Sequence, residues 1–164
     1  MYSEDKKAKE ISYSSALSKM QFICSRQEKC CSDIRKKLEN WSLSYDDQDN
    51  IIQSLIDDKF IDEKRYTGYY VRDKYKFNKW GRIKISHHLK QKQIPEYIIM
   101  EAFDSISDEL YEENLKEILS SKLRSTREED PYKLKAKLFR FAQSRGFESN
   151  LILRNIEDMV HKDQ

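Results

Sequence analysis

Apolar residues recur along this chain at i, i+3, i+4 and i+7 rather than in alternation, which is the period of an amphipathic helix. Leu17, Met20 and Cys24 form one such window, Ile34, Leu38 and Trp41 a second, and Ile51, Leu55 and Ile56 a third. Ser44, followed three residues later by Asp47, supplies a capping-box-like start, so the third helix is predicted to begin near Tyr45. Further helices are predicted over about 62–77 and 81–92, with another opened by Pro95, a residue favoured at the first helical position. The last three are predicted around 115–123, over 132–145 and over about 148–160, with Gly146 where a left-handed helix end costs little.

The apolar pattern repeats. Shifted by fifty-three places, Ile85, Leu89 and Ile94 fall on Leu138, Ala142 and Phe147, and Ile98 and Ile99 fall on Leu151 and Ile152. Shifted back by fifty-one, the first three fall on Ile34, Leu38 and Leu43; the register then fails at Asp47 and Gln48 and recovers at Ile51 and Leu55. The reading is a tandem of three three-helix modules, residues 16–61, 62–107 and 108–164, behind a flexible segment 1–15. Such an array is expected to be elongated or crescent-shaped, with Ile85, Leu89, Ile94, Leu138, Ala142 and Phe147 in its core.

Composition agrees with an all-α fold. Three glycines and two prolines in 164 residues are too few for the frequent turns of a strand-rich protein. The first fifteen residues hold no apolar run of the signal-peptide kind, and no aliphatic run is long enough to span a bilayer, so a cytoplasmic location is expected. Cys24, Cys30 and Cys31 are odd in number and lack paired spacing, and His87, His88 and His161 stand at no metal-ligand spacing from them. Neither a disulfide framework nor a metal site is therefore expected. There is no Gly-rich phosphate loop and no nucleophile with a base at motif spacing, so no cofactor and no catalysis are expected; acids such as Glu112 and Glu113 read as solvated helix faces.

Charge changes the picture because it is striped. Residues 62–92 carry a net +7, residues 96–113 hold seven acids and no Lys or Arg, and residues 116–145 carry a net +5, against +2 for the whole chain. Basic stripes release counterions on meeting a phosphate backbone and also suit acidic protein surfaces. The densest runs through Arg72, Lys74, Lys76, Lys79, Arg82, Lys84, Lys90 and Lys92, and Lys133, Lys137 and Arg145 extend the candidate partner or nucleic-acid surface into the third module. Helical spacing predicts that Lys76, Lys79, Lys84 and Lys90 are mostly exposed. Tyr75, Phe77 and Trp80 are interleaved with these cations; they read either as packing at a helix junction or as a stacking platform for single-stranded nucleic acid. Asp62 and Arg65 read as a helix start with a structural ion pair, Tyr66, Tyr70 and Val71 as core, and Gly68 as a point of close helix approach.

Three segments carry a resemblance to a known family: "FIDEKRY" at 60–66, "WGRIKISHHLKQKQI" at 80–94 and "RGF" at 145–147. They resemble the Asp-x-x-Arg-Phe/Tyr helix start, the Gly-x-x-Ile-x-x-x-Leu helix closed by a Gly-Ile turn, and the Lys/Arg-Gly-Phe turn of the RecX family, small bacterial regulators of the recombinase RecA. Two departures stand out: Gln93 replaces the usual glycine before Ile94, and "NWSL" at 40–43 stands where Lys-Gly-Phe is common. The resemblance implies a non-enzymatic monomer that lies in the groove of a recombinase filament on single-stranded DNA. There it would contact recombinase subunits, with direct DNA contact left open, and restrain filament growth, ATP hydrolysis and strand exchange. The alternative reading is a helical-repeat nucleic-acid binder with no dedicated recombinase partner.

Overall fold

The computed structural model describes residues 8–161, so residues 1–7 of the expected flexible segment lie outside the described residues. Among the described residues there are nine helices and no strand, with one isolated parallel bridge between Lys9 and Trp41. The chain is thus all-α, and it divides into two compact units, residues 1–66 and 67–164.

The first unit holds α1 (Tyr13–Arg26), α2 (Cys31–Leu38) and α3 (Tyr45–Asp57). Ser12 Oγ accepts the Ser15 N–H to start α1, and Ser44 Oγ accepts the Asp47 N–H to start α3 as the sequence predicts. Trp41, expected on the second helix, instead follows it in the extended stretch that pairs with Lys9, where the Ser42 N–H donates to Lys9 O at 3.0 Å. This is the site of "NWSL". The start of α2 has no local side-chain cap; the Glu63 carboxylate accepts the Cys31 N–H at 3.1 Å instead. Asp62 accepts the Arg65 N–H at 3.0 Å, and the Arg65 ion pair is made with Glu28 at 2.6 Å. Ala16, Met20, Ile34, Leu38, Ile51, Ile52, Leu55 and Ile61 form the core of this unit. Burial, then the nearby Glu63, pushes the Cys31 thiol up to about 12, so it stays protonated.

Helix α4 (Glu63–Lys76) begins in the first unit and continues into the second, which holds α5 (Arg82–Gln91), α6 (Glu96–Phe103), α7 (Asp108–Ser125), α8 (Pro131–Ser144) and α9 (Ser149–His161). Helix α7 starts seven residues before the apolar pattern predicted. Ser107 Oγ caps it by accepting the Leu110 N–H, and the first-turn acids Asp108 and Glu109 suit its dipole; acid-rich sequence hid the helix because only one face is apolar. Pro95 is the cap of α6 rather than its first residue. All six core residues predicted from the repeat are buried, none exposing more than 3% of its surface. Val71 and Tyr66 are buried too, whereas Tyr70 is only half-buried.

The repeat has a backbone counterpart. At the end of α8 the Gly146 N–H donates to Gln143 O and the Phe147 N–H reaches back to Ala142 O; at the end of α5 the Gln93 N–H donates to Lys90 O and the Ile94 N–H to Leu89 O. Both are Schellman closures, which place one residue in the left-handed region and tuck the next apolar residue under the helix. Gly146 has φ +92° and its repeat mate Gln93 has φ +61°. Gln93 therefore keeps the turn that its missing glycine would have eased.

The same turn joins the middle of the chain to its last third. A Cβ on Gly81 would lie 2.3 Å from Gly146 O, and one on Gly146 would lie 2.3 Å from Lys84 Cβ, so the two backbones touch. The Gly81 N–H donates to Arg145 O at 2.7 Å and the Ile83 N–H to Gly146 O at 3.0 Å. Between them, the Arg82 N–H donates to the Tyr111 hydroxyl at 2.9 Å, and that hydroxyl donates to Glu148 at 2.7 Å. Tyr111 is buried, packed between Tyr75 and Phe147 at ring distances of 6.5 and 5.1 Å, and burial raises its pKa so that it remains a donor. Gly68 behaves otherwise than expected. A Cβ there would meet nothing within 4 Å, so the position does not require glycine for close packing.

The left-handed sites yield an opposed pair of expectations. Gln93→Gly should raise stability by about 0.5–1 kcal/mol, because an L side chain at positive φ costs more than the added freedom of the unfolded glycine. Gly146→Ala should lower it by about 2–4 kcal/mol, since strain at positive φ adds to overlap with Lys84. Urea midpoints of the two variants measure both signs.

Candidate functional site

Helix α5 has three faces. Ile85 and Leu89 point into the core, Ile83, His87 and Lys90 line a groove, and Lys84 and His88 stand beside Trp80. The i, i+4 spacing of Lys84 and His88 puts both on one side of the helix. Trp80 itself lies in the short connection before α5, anchored by its N–H donating to Lys74 O at 3.1 Å.

Around the half-exposed Trp80 indole the cations converge from two helices. Lys84 Nζ sits 4.4 Å and Lys74 Nζ 5.1 Å from ring centroids of Trp80, and the His88 ring is 4.8 Å away. Lys74 also lies 5.5 Å from the Tyr70 ring, and Lys84 Nζ makes a long 3.4 Å contact with Ser144 O. Among the described residues neither ammonium is ion-paired with a carboxylate. Burial, with His87, Lys84, Lys74 and Lys92 next in order, lowers the His88 pKa, so this imidazole is neutral at pH 7.

The other sequence candidates separate by what holds them. Lys79 is half-buried, and its ammonium donates to Asn114 Oδ1 at 3.1 Å and Glu117 at 3.0 Å, while Asn114 in turn donates to Tyr75 O. Arg82 stacks 3.9 Å over Tyr111 and pairs with Asp108 at 2.8 Å. Lys90 pairs with Glu96 at 3.1 Å, and Lys137 with Glu128 at 2.7 Å. Arg145 lies over Phe141 and donates to Asn78 O, and Arg72 lies over Tyr69. Lys76 and Lys133 are exposed, and Lys92 is half-buried. The expectation that Lys79 and Lys84 would be mostly exposed is corrected: both are half-buried, Lys79 beside Asn114 and Glu117 of α7 and Lys84 beside Trp80 and the α8 end.

The aromatics divide likewise. Tyr75 is buried and donates its hydroxyl to Leu110 O at 2.6 Å, Phe77 is 80% exposed, and Trp80 stands between these states. Glu112, read as solvated, is half-buried and holds Arg154 and Asn155 of α9 at 3.0 and 3.1 Å. Sequence reasoning missed the groove of about 770 Å³ on the opposite side of α5, which Ile83, Met100 and Phe103 floor and His87, Lys90 and Asp104 edge. Its only signal was the pair of apolar residues, Ile83 and Met100, left off the repeat.

Two successive stretches match descriptions of one family: residues 62–102 match the second three-helix domain of RecX, and residues 109–155 its third. Among curated proteins, the Regulatory protein RecX of Clostridium botulinum strain Eklund 17B is 31% identical over 138 residues, 83% of this chain and 64% of that protein. The Clostridium tetani protein of the same name is 34% identical over 110 residues, 65% of this chain and 50% of the relative. The chain thus spans between half and two thirds of the length of these curated relatives. Among solved structures, a crystal structure of regulatory protein RecX superposes with a TM-score of 0.82 at 27% identity, covering 89% of this chain and 73% of that one. RecX from Lactobacillus salivarius superposes at 0.77 with 22% identity over 89% and 95% of the two chains, a likeness of fold.

The sorting of cations is measurable without any partner. Lys79→Glu should lower stability by about 1 kcal/mol, by setting a carboxylate against Glu117 and removing the donor to Asn114. Lys76→Glu should stay within about 0.5 kcal/mol of the parent. Equal melting of the two variants would place Lys79 in solvent.

Proposed function

Because this chain belongs to the RecX family, we propose that it binds a recombinase filament on single-stranded DNA and inhibits filament extension, ATPase activity and strand exchange. It acts by binding, as a cytoplasmic monomer. What supports this reading beyond family membership is the surface where α4 meets α5, on which Lys74, Lys76 and Lys84 carry charge that no carboxylate among the described residues neutralises. Binding rather than catalysis suits the buried groups: the Cys31 thiol and the Tyr111 hydroxyl are both held protonated by burial, and Tyr111 is committed to Arg82 and Glu148. The three modules read from the repeat would let one chain touch successive subunits of a helical polymer, gaining by effective concentration.

The competing reading is a nucleic-acid binder with no recombinase partner. Recombinase ATPase on single-stranded DNA separates the two when this protein is added at far fewer chains than recombinase subunits. A filament regulator lowers the rate at such ratios, whereas a competitor for DNA must first cover the strand. The triple variant Lys74→Glu, Lys76→Glu, Lys84→Glu should lose most of the inhibition while retaining the helical spectrum and a melting point close to the parent's. Undiminished inhibition at physiological salt would move the contact to another surface.

A further inference from the structure

Two unpaired ammonium groups over one indole are an unusual use of positive charge. Each like charge raises the local potential felt by the other, and a half-exposed ring cannot neutralise either. Lys79 and Lys90, by contrast, meet the carboxylates of Glu117 and Glu96. The indole is also left partly open to solvent, whereas the neighbouring Tyr75 is buried and hydrogen-bonded.

We propose that Trp80, Lys74, Lys84 and His88 form a binding site for single-stranded nucleic acid, in which a phosphodiester bridges the two ammonium groups and the adjacent base stacks on the indole. The chemistry follows from the parts. A phosphate oxygen is the anion that two ammonium groups a few ångströms from one ring would share, and drawing them toward it frees the ring face for a base. The His88 ring stands tilted beside the indole, 4.8 Å away, and adds a second ring to the site without adding charge. The exposed Phe77, three residues earlier in the chain, leaves a further aromatic ring at this end of α4. A base-paired duplex hides its ring faces inside the stack, so the site selects unpaired nucleotides. The inference rests on the function proposed above only in assigning this face to the DNA strand rather than to the recombinase.

Intrinsic fluorescence tests it directly, because the chain has two tryptophans and a Trp41→Phe protein reports Trp80 alone. An oligo(dT) strand of about thirty nucleotides should quench that signal saturably. A hairpin duplex should do so far less, and ATP should not compete at matched ionic strength. Trp80→Ala should weaken oligo(dT) binding by roughly five- to hundredfold, with Trp80→Phe in between, as loss of one stacked base implies. Lys74→Gln with Lys84→Gln should lower the slope of log affinity against log salt by about 1.4, or about 0.7 per lost phosphate contact. Absence of quenching, equal response to the duplex, or saturation by ATP alone would each overturn the site. So would a glutamine pair that loses ATPase inhibition yet binds oligo(dT) unchanged, since the face would then meet protein. Conversely, oligo(dT) binding through Trp80 with no ATPase inhibition would leave the site standing and remove the regulatory reading.

Discussion

The start of a helix leaves backbone N–H groups without partners, and where α5 begins those groups face protein rather than water. Gly81 and Ile83 satisfy theirs on the carbonyls of Arg145 and Gly146, and Arg82 on the Tyr111 hydroxyl. The positive end of one helix dipole thus meets the negative end of another. This union requires two residues without side chains, and both are glycine: any Cβ on either would press into backbone atoms of the other segment. The ring packing of Tyr75, Tyr111 and Phe147 and the Lys84 position over Trp80 depend on the same docking. Modules legible as separate repeats in sequence are therefore one physical body over residues 67–164.

That docking also decides which cations are available. Lys79, Arg82 and Arg145 sit close to the union and are used in it, through Asn114, Tyr111 and the Asn78 carbonyl respectively. Lys74 and Lys84 approach from its edge and find only aromatic rings and one long carbonyl contact. A stripe that looks uniform in sequence is thus a mixture of structural charges and uncommitted ones, and two of the latter, Lys74 and Lys84, meet at Trp80.

Most of the fold was readable because helical periodicity and a fifty-three-residue register are local signals: Ile85, Leu89 and Ile94 and their mates Leu138, Ala142 and Phe147 are all buried. The start of α7 was not, because Asp108, Glu109, Glu112 and Glu113 dilute its apolar face, and its buried Tyr111 and Asn114 serve partners far away in the chain. Gly68 misled for the reverse reason. A glycine in a helix suggests crowding, and here there is open space. Around Trp80, sequence alone had no means of telling Lys79 from Lys84, since the distinction lies in the Asn114 and Glu117 side chains that α7 brings to the first. The left-handed turn at Gln93 was masked by the absent glycine, although the register with Gly146 marks its place.

The contacts that complete the middle module join residues more than sixty positions apart, and this bears on how the chain is made. As it leaves a ribosome, helices α4, α5 and α6 emerge with their local hydrogen bonds available, yet the acceptors for the Gly81 and Ile83 amides do not exist until Arg145 and Gly146 have been synthesised. Until then these two amides at the start of α5 have water rather than the α8 end as their partner. The middle third of the chain can therefore complete its hydrogen bonding only after the last third has been made.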